Sequence, residues 1–307
     1  MKKVINQLVV ITICGIFIAS CQSSADSPTD TPPAVTDGKS IESSEATSLK
    51  DALKAAKTGE YVAPTAEALH KAEALFLRTL KGEQSVDLQN AWQTQSFTMQ
   101  TLTHNGTDFT VVQEADGKRT GRGFYAFRQK ESLPIALQAP HSYKDLYTGK
   151  IASLLMEEGN YVVAGWNTVP RNDADMAHRE DTIFQTLGRA FAYQYPTGTI
   201  VQLHGFAQGK RKTTAGKTAD LIFSGTTRAP SQRVLDTGNC LKSKLIGFEV
   251  RIYPHEVSEL GGTTNSNAKD LRERGFNRFF HVELSKPLRE KLREDKQVRG
   301  QLSACLQ

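Results

Sequence analysis

The sequence predicts an α/β protein in which a mixed, mostly parallel sheet is flanked by helices, with an N-terminal extension of helices and antiparallel strands. Two observations lead to this prediction. After Pro134, short apolar runs typical of strands alternate with segments whose apolar residues recur every three or four positions, as in helices. Before Pro134, three strand-like runs follow one another, and Asn105-Gly106 between the first two is typical of a hairpin turn.

Helical periodicity is clearest near the start of the domain. Ala66, Leu69, Ala72 and Leu75 recur at helical spacing, and Pro64 suits the start of a helix. The same reasoning predicts helices at residues 48–57, 65–80, 146–158, 176–195, 231–243, 266–274 and 287–303. Strands are predicted at residues 96–103, 108–113, 123–128, 135–139, 161–166, 199–203, 219–224, 248–253 and 278–284.

The N-terminus has the features of a bacterial lipoprotein signal peptide. Two lysines precede an apolar run from Leu8 to Ile18, which is too short for an ordinary membrane span. The run ends in Ile-Ala-Ser-Cys, which resembles a lipobox, so we expect removal of residues 1–20 and lipidation of Cys21. Gln22 favours the outer membrane by the same resemblance, which predicts an anchor on its periplasmic face. Plain secretion is the alternative.

A tether and one domain are predicted to follow. Residues 21–47 are rich in Ser, Thr, Pro, Asp and Glu and cannot bury enough apolar surface to order themselves, so they predict a disordered tether. Residues 48–307 are long enough for a single domain with a sizeable core. The formal net charge of +5 includes the two lysines of the signal peptide and is too small to favour a nucleic-acid partner.

Two cysteines remain in the predicted domain, Cys240 and Cys305. An oxidising periplasm would permit a disulfide between them. Two free buried thiols are the alternative, and the sequence leaves both open.

Four polar residues follow or close predicted strands. His141 and Asp145 come directly after strand 135–139, spaced so that one turn can present both to one ion. His204 closes strand 199–203, and Glu283 lies near the end of strand 278–284 on the same face as His281. Ligands of open α/β sheets bind at the carboxyl ends of the strands, so we expect these side chains to lie close together.

Two histidines and one carboxylate form the three-ligand set of many catalytic zinc sites. His141, Asp145 and His204 are therefore the candidate ligands of Zn2+. Glu283 is the candidate general base, since such sites need a second carboxylate to take a proton from water. Glu249, in strand 248–253, is the reserve candidate for the same role.

Each of these residues also has a structural alternative. Asp145 could cap the helix that follows it, and His204 could be a hydrogen-bonded core residue. Glu283 could form a salt bridge with Arg278 or Arg289. Near the start of predicted helix 176–195, Asp175 is expected to act as the N-cap, and His178 could line the site.

The order of these motifs resembles the zinc carboxypeptidase-like amidohydrolases, above all the phage-type poly-γ-glutamate hydrolases and more distantly the N-formylglutamate amidohydrolases. Residues 139–142 (Ala-Pro-His-Ser) are similar to the turn with the first ligand. Residues 201–205 (Val-Gln-Leu-His-Gly) are similar to the third-ligand strand, and residues 280–289 to the segment with the catalytic Glu. The resemblance runs from about residue 134 to residue 289, and Asp145 stands where the family has a Glu.

The resemblance implies a zinc-dependent hydrolase of an amide or peptide bond in a carboxylate-bearing substrate, such as a γ-glutamyl or peptidoglycan-derived peptide. Glu283 would activate zinc-bound water. Asn167 and Arg171 are a loose substitute for the Asn–Arg pair that grips the substrate carboxylate in carboxypeptidases; with His178 they are candidate substrate-binding residues, and Arg171 would also steady the oxyanion. The alternatives are a true carboxypeptidase and a non-catalytic envelope lipoprotein that binds or scaffolds on the same fold.

Overall fold

The computed structural model describes residues 48–307. The predicted signal peptide, the tether and Cys21 lie outside these residues. Within the described part of the chain the strands are β1 (Phe97–His104), β2 (Thr107–Glu114), β3 (Phe124–Arg128), β4 (Leu133–Ala139), β5 (Tyr161–Trp166), β6 (Thr199–Gly205), β7 (Leu221–Ser224), β8 (Val250–Ile252) and β9 (Phe279–Leu284).

These strands form one mixed sheet in the order β1-β2-β3-β5-β4-β6-β9-β7-β8. Strands β5, β4, β6 and β9 run parallel at its centre. Strands β1 to β3 extend the sheet antiparallel on one side, and β7 with β8 extends it on the other, where β7 pairs antiparallel with β9. The predicted α/β fold with a mixed sheet is confirmed. Asn105 and Gly106 join β1 to β2 with φ of 48° and 71°, as such a hairpin turn requires.

Helices cover both faces of the sheet. They are α1 (Leu49–Ala55), α2 (Ala66–Leu80), α3 (Val86–Thr94), α4 (Thr148–Glu158), α5 (Ile183–Gln194), α6 (Thr214–Thr218), α7 (Gln232–Lys244), α8 (Ser266–Glu273), α9 (Lys286–Glu294) and α10 (Lys296–Leu306). No helix among residues 48–307 combines the length and hydropathy needed to cross a bilayer.

The two faces of the central strands differ in chemistry. We call one the apolar face: it carries residues such as Leu137, Val201 and Phe280 and packs under α1, α4, α7, α9 and α10. We call the other the site face: it begins with Ala136, Ile200 and Phe279, which pack under α2, α3, α5 and α8. Towards the carboxyl ends of the strands, the site face becomes polar.

The strand register gathers these polar side chains into rows. Gln138 of β4 pairs with Gln202 of β6, and Gln202 pairs with His281 of β9. One step nearer the carboxyl ends, His204 pairs with Glu283. All five side chains are buried. The parallel register therefore places two histidines, two amides and a carboxylate on one patch of sheet.

Some predicted elements differ from the structure. The helix predicted at 176–195 begins only at Ile183, where Thr182 is the N-cap, so Asp175 is not a helix cap. The helix predicted at 287–303 is interrupted at Asp295, whose side chain caps α10. Helix α3 was not predicted. On the apolar face, α7 and α10 are joined by a disulfide between Cys240 and Cys305, with a Cα–Cα distance of 5.6 Å.

Candidate metal centre

Three buried side chains converge where β4 and β6 end. His141 and Asp145 lie in the turn after β4, and His204 is the last side chain of β6. Asp145 Oδ2 lies 3.1 Å from His141 Nδ1 and 3.8 Å from His204 Nδ1. One ligand atom from each residue can be chosen so that all three lie within 4.8 Å of one another. The structure thus brings the three predicted ligands together.

The spacing suits a small tetrahedral ion. A zinc ion with ligand bonds of about 2.0–2.1 Å keeps its ligand atoms about 3.3 Å apart. The two separations from Asp145 Oδ2 lie on either side of that value. Asp145 is also held from outside, because its Oδ2 accepts a hydrogen bond from the backbone N–H of Gly205 at 3.0 Å. It does not cap the following helix, since Tyr147 occupies that position without a side-chain cap.

The outer nitrogen of His141 faces a carboxylate. His141 Nε2 donates to Asp175 Oδ1 at 2.8 Å, and Asp175 also accepts from Arg171 Nε at 2.9 Å and from the N–H of Ala177 at 3.2 Å. Burial raises the pKa of Asp175, but the hydrogen bonds from His141 and His178 lower it by more. The pKa therefore lies well below its usual range, and the carboxylate is ionised. With Nε2 protonated, His141 presents Nδ1 to the site as a lone pair.

The outer nitrogen of His204 faces an amide oxygen. His204 Nε2 lies 2.8 Å from Gln202 Oε1, which also accepts from Asn265 Nδ2. An oxygen in this position requires His204 to carry its hydrogen on Nε2. Its Nδ1 therefore also presents a lone pair to the site.

Three acceptors thus face one another without a donor between them. Burial lowers the pKa of His141, but its hydrogen bonds with Asp145 and Asp175 raise it more, so the pKa lies above its ordinary value. Burial lowers the pKa of His204 most, and electrostatic repulsion from the nearby His281 and His141 adds to it, so the pKa lies well below its usual range. The missing positive charge can be supplied by a proton on His141 or by a metal ion, and the donor set of two imidazoles and one carboxylate fits Zn2+.

Glu283 lies beside this cluster. Its strand position pairs directly with His204, and its Oε1 lies 3.2 Å from His281 Nε2. Among residues 48–307, Glu283 forms no salt bridge with Arg278 or Arg289 and pairs with His281 instead. Glu283 faces the same cavity as the three acceptors. It is therefore placed to accept or donate a proton within that cavity.

The cavity above the cluster has a volume of about 730 Å³. Its carboxylates, Asp145 and Glu283, are outnumbered by cationic side chains, which favours an anionic ligand. The cationic residues that line it are Lys144, Arg171, Lys210, Arg211, Lys286 and Arg289.

Arg289 differs from the other cations because it is buried, with 5% of its surface exposed. Its guanidinium lies over the backbone of Gly205, where a Cβ would come within 1.5 Å of Nη1. Its one hydrogen bond within the described residues is long, from Nη2 to Phe206 O at 3.5 Å, and its Nε has no partner there. Burial lowers its pKa, against the nearby charges of Asp145 and Glu283. A buried and nearly unpaired guanidinium costs free energy unless an anion meets it.

The other predicted site residues are distributed unevenly. Arg171 and His178 line the cavity, and both contact Asp175. Asn167 is buried outside the lining, and its amide hydrogen-bonds to Val169 at both ends, which leaves no group free for a substrate. Glu249, the reserve base, is exposed, pairs with Arg251 and does not line the cavity.

Sequence reasoning missed four residues of this centre. Asp175 was interpreted as a helix cap, and Arg289 only as a salt-bridge partner. Gln202 could have been found, because strand alternation places it on the same face as His204. Asn265 carries no local signal, since its contact with Gln202 spans 63 positions.

No family model and no curated protein matches this chain. Solved structures with a similar fold include an N-formylglutamate amidohydrolase from Ralstonia eutropha, with 13% identity and a TM-score of 0.40 over 61% of this chain and 94% of that one. An aspartoacylase family protein from Mesorhizobium loti has 14% identity and a TM-score of 0.36 over 65% and 66%. A candidate metallopeptidase from Shewanella denitrificans has 10% identity and a TM-score of 0.30 over 72% of this chain and 90% of that one. The first is of the kind that the sequence motifs resemble; identities and scores this low carry no conclusion about function.

Proposed function

We propose that this chain is a zinc-dependent hydrolase that cleaves an amide bond in a carboxylate-bearing substrate, such as a γ-glutamyl or peptidoglycan-derived peptide. The observation that carries the proposal is the convergence of three lone-pair acceptors on one point of a cationic cavity, beside Glu283. His141, Asp145 and His204 would hold the ion. When bound, zinc acidifies water and polarises a carbonyl oxygen.

Glu283 performs the proton transfers in this proposal. Its carboxylate accepts a proton from the attacking water and later delivers it to the nitrogen of the departing amine. The hydrogen bond with His281 holds the carboxylate towards the cavity. His281 in turn is confined by the backbone of Gly262, where a Cβ would come within 2.7 Å of its ring. The base is thus held in one orientation by its own strand and by the loop above it.

Arg289 is the group we assign to the substrate carboxylate. It is buried, forms no salt bridge among residues 48–307 and lines the cavity, whereas Arg171 is tied to Asp175. Arg289→Met should raise KM for a carboxylate substrate by about 30-fold or more, since it removes the partner of a buried charge. The carboxamide analogue of the substrate should show no such change, and Lys291→Met, on the same helix α9 but outside the cavity lining, is the matched control. Equal losses for both substrates would exclude Arg289 as the carboxylate ligand.

The central experiment measures metal content and hydrolysis in the same preparation. The purified protein should contain one equivalent of zinc, hydrolyse N-acyl-glutamate or γ-glutamyl amides, and lose both metal and activity to a chelator. His204→Ala should lose both as well. A folded protein that has neither stoichiometric zinc nor hydrolysis would refute the proposal and leave a non-catalytic binding role. Hydrolysis that is indifferent to the chelator would refute the zinc dependence.

We also propose that Cys21 anchors the protein to the bacterial outer membrane on its periplasmic face. The support is the Ile-Ala-Ser-Cys motif after a short apolar run. Cys21→Ser should move the protein from the membrane fraction to the soluble fraction. Unchanged membrane association would show that the motif does not direct lipidation.

A further inference from the structure

A chain of buried amides connects the start of α8 to the imidazole ring of His204 in the metal centre. Asn265 is the N-cap of α8, and its Oδ1 accepts from the N–H of Ala268 at 3.0 Å. Its Nδ2 donates to Gln202 Oε1 at 2.5 Å, and the same oxygen accepts from His204 Nε2 at 2.8 Å. Gln202 Nε2 donates to Gln138 Oε1 at 2.9 Å. We call Asn265, Gln202 and Gln138 the amide chain.

The direction of every hydrogen bond in the amide chain follows from one backbone group. A backbone N–H can only donate, so Ala268 requires the oxygen of Asn265 on its side. The nitrogen of Asn265 must then face Gln202, which requires the oxygen of Gln202 in return. That oxygen in turn requires a hydrogen on His204 Nε2. No step leaves a free choice, because each side chain is buried and has no other partner for these atoms within the described residues.

We propose that Asn265 and Gln202 are positioning residues that set the tautomer of His204, so that its Nδ1 offers a lone pair to the ion. This inference rests on the proposed function only for the identity of the ion. The ordering of the ring itself is a property of the chain without metal.

The amide chain can be reversed by changing one atom. Asn265→Asp replaces the nitrogen that faces Gln202 by an oxygen and keeps the cap of α8, since Asp and Asn are equally good N-caps. Once ionised, the new carboxylate can only accept, so Gln202 must then turn its nitrogen towards it and towards His204. Gln138 can follow, because its Nε2 has no partner within the described residues and can rotate to donate to Gln202. His204 then has to accept at Nε2 and carry its hydrogen on Nδ1, where the ion would bind.

The test is imidazole ¹⁵N NMR of the metal-free protein near neutral pH, combined with a competitive zinc titration. Wild-type His204 should be the Nε2–H tautomer. Asn265→Asp should shift it to Nδ1–H and weaken zinc binding by about 10–100-fold, as loss of an orienting partner does. Gln202→Glu keeps an acceptor facing His204 and should retain both the Nε2–H tautomer and the zinc affinity. Asn277→Asp, an exposed change beyond the same helix, should alter neither.

Three results would overturn the proposal: a wild-type His204 that carries its hydrogen on Nδ1, an unchanged tautomer in folded Asn265→Asp, or an equal loss of zinc affinity in Gln202→Glu and Asn265→Asp. The last result would mean that any disturbance of the amide chain weakens zinc binding, whichever way its hydrogen bonds point. If Asn265→Asp does not fold, the tautomer of wild-type His204 still tests the proposal: a hydrogen on Nε2 supports it, and a hydrogen on Nδ1 overturns it. If no variant binds zinc, the proposed function fails, and the metal-free spectra still decide this inference.

Discussion

The two faces of the central strands are built from alternate residues of the same segments. In β9, Phe280, Val282 and Leu284 pack into the apolar face, while His281 and Glu283 face the cavity. On the apolar face each side chain contributes by losing contact with water and by close packing, and it needs no hydrogen-bond partner. On the site face each polar atom needs a specific partner, because a buried polar group without one costs about 1–3 kcal/mol.

The difference shows where stability and chemistry are held. The apolar face is continuous and is cross-linked by the disulfide between α7 and α10. The site face and the cavity above it contain polar atoms that lack protein partners among the described residues, including His281 Nδ1, Gln138 Nε2 and Arg289 Nε. We therefore expect changes on the site face to reduce activity or metal affinity at little cost in stability, and changes on the apolar face to do the reverse.

The largest expected effect is at Glu283. Glu283→Gln keeps the size of the side chain and removes the proton acceptor, so turnover should fall by about 10²–10⁴-fold. Zinc content and the free energy of unfolding should change little. Glu249→Gln is the matched control, because Glu249 is exposed and lies outside the cavity. Full activity in Glu283→Gln would remove the carboxylate from the mechanism.

The opposite pattern is expected on the apolar face. The Cys240→Ala/Cys305→Ala variant removes a cross-link between positions 65 apart, so the free energy of unfolding should fall by about 2–4 kcal/mol in denaturant titrations. Turnover and zinc affinity should stay at wild-type values at temperatures where the variant is folded. A loss of zinc affinity in the folded variant would show that the two faces are coupled.

Asp175 tests the orientation of His141 without removing any of the three candidate ligands. Asp175→Asn removes the charge that holds His141 Nε2–H and should weaken zinc binding by about 10–100-fold in a competition titration. Asp173→Asn, an exposed change in the same loop, is the matched control. Equal affinities for the two variants would mean that His141 is oriented by its packing alone.

The same contrast explains which parts of the site were predictable from the sequence. Strand alternation and the ends of apolar runs located His141, Asp145, His204 and Glu283, because each lies where an element changes character. The parallel register then brings them together, as the carboxyl ends of parallel strands do.

The remaining residues depend on contacts that no local pattern encodes. Asp175 was interpreted as a cap because an acid precedes a helical pattern, but α5 begins eight positions later and the carboxylate binds His141 instead. A salt bridge to Arg289 or Arg278 is the structural alternative that the sequence offers for Glu283, whereas Glu283 contacts His281 two positions away on its own strand. The partner of a long polar side chain is decided by tertiary packing, so its role could not be read from its neighbours.

The smallest expected effect is a pH dependence of stability that is present in the metal-free protein and absent in the zinc-loaded protein. The pKa of His141 in the folded protein is raised above its ordinary value of about 6.5. Between that ordinary value and the raised pKa, the folded metal-free protein therefore binds up to one proton more than the unfolded chain. Its stability should therefore fall as pH rises through that window, by at most about 1.4 kcal/mol per pH unit. His204 contributes little there, because its lowered pKa keeps it neutral in the folded protein and the unfolded chain is mostly neutral at His204 above about 6.5.

In the zinc-loaded protein the same proton competes with the ion. Zinc affinity should rise by about tenfold per pH unit up to the raised pKa of His141 and then level off, because one proton is displaced rather than two. The gain in zinc affinity offsets the loss in the metal-free protein, so stability with excess zinc should be nearly independent of pH over the window in which the metal-free protein loses stability. Denaturant titrations of both forms at several pH values measure this directly. Parallel pH profiles of stability in the two forms would show that His141 does not exchange a proton for the ion. A zinc affinity that rises by about a hundredfold per pH unit would mean that His204 is also protonated before zinc binds.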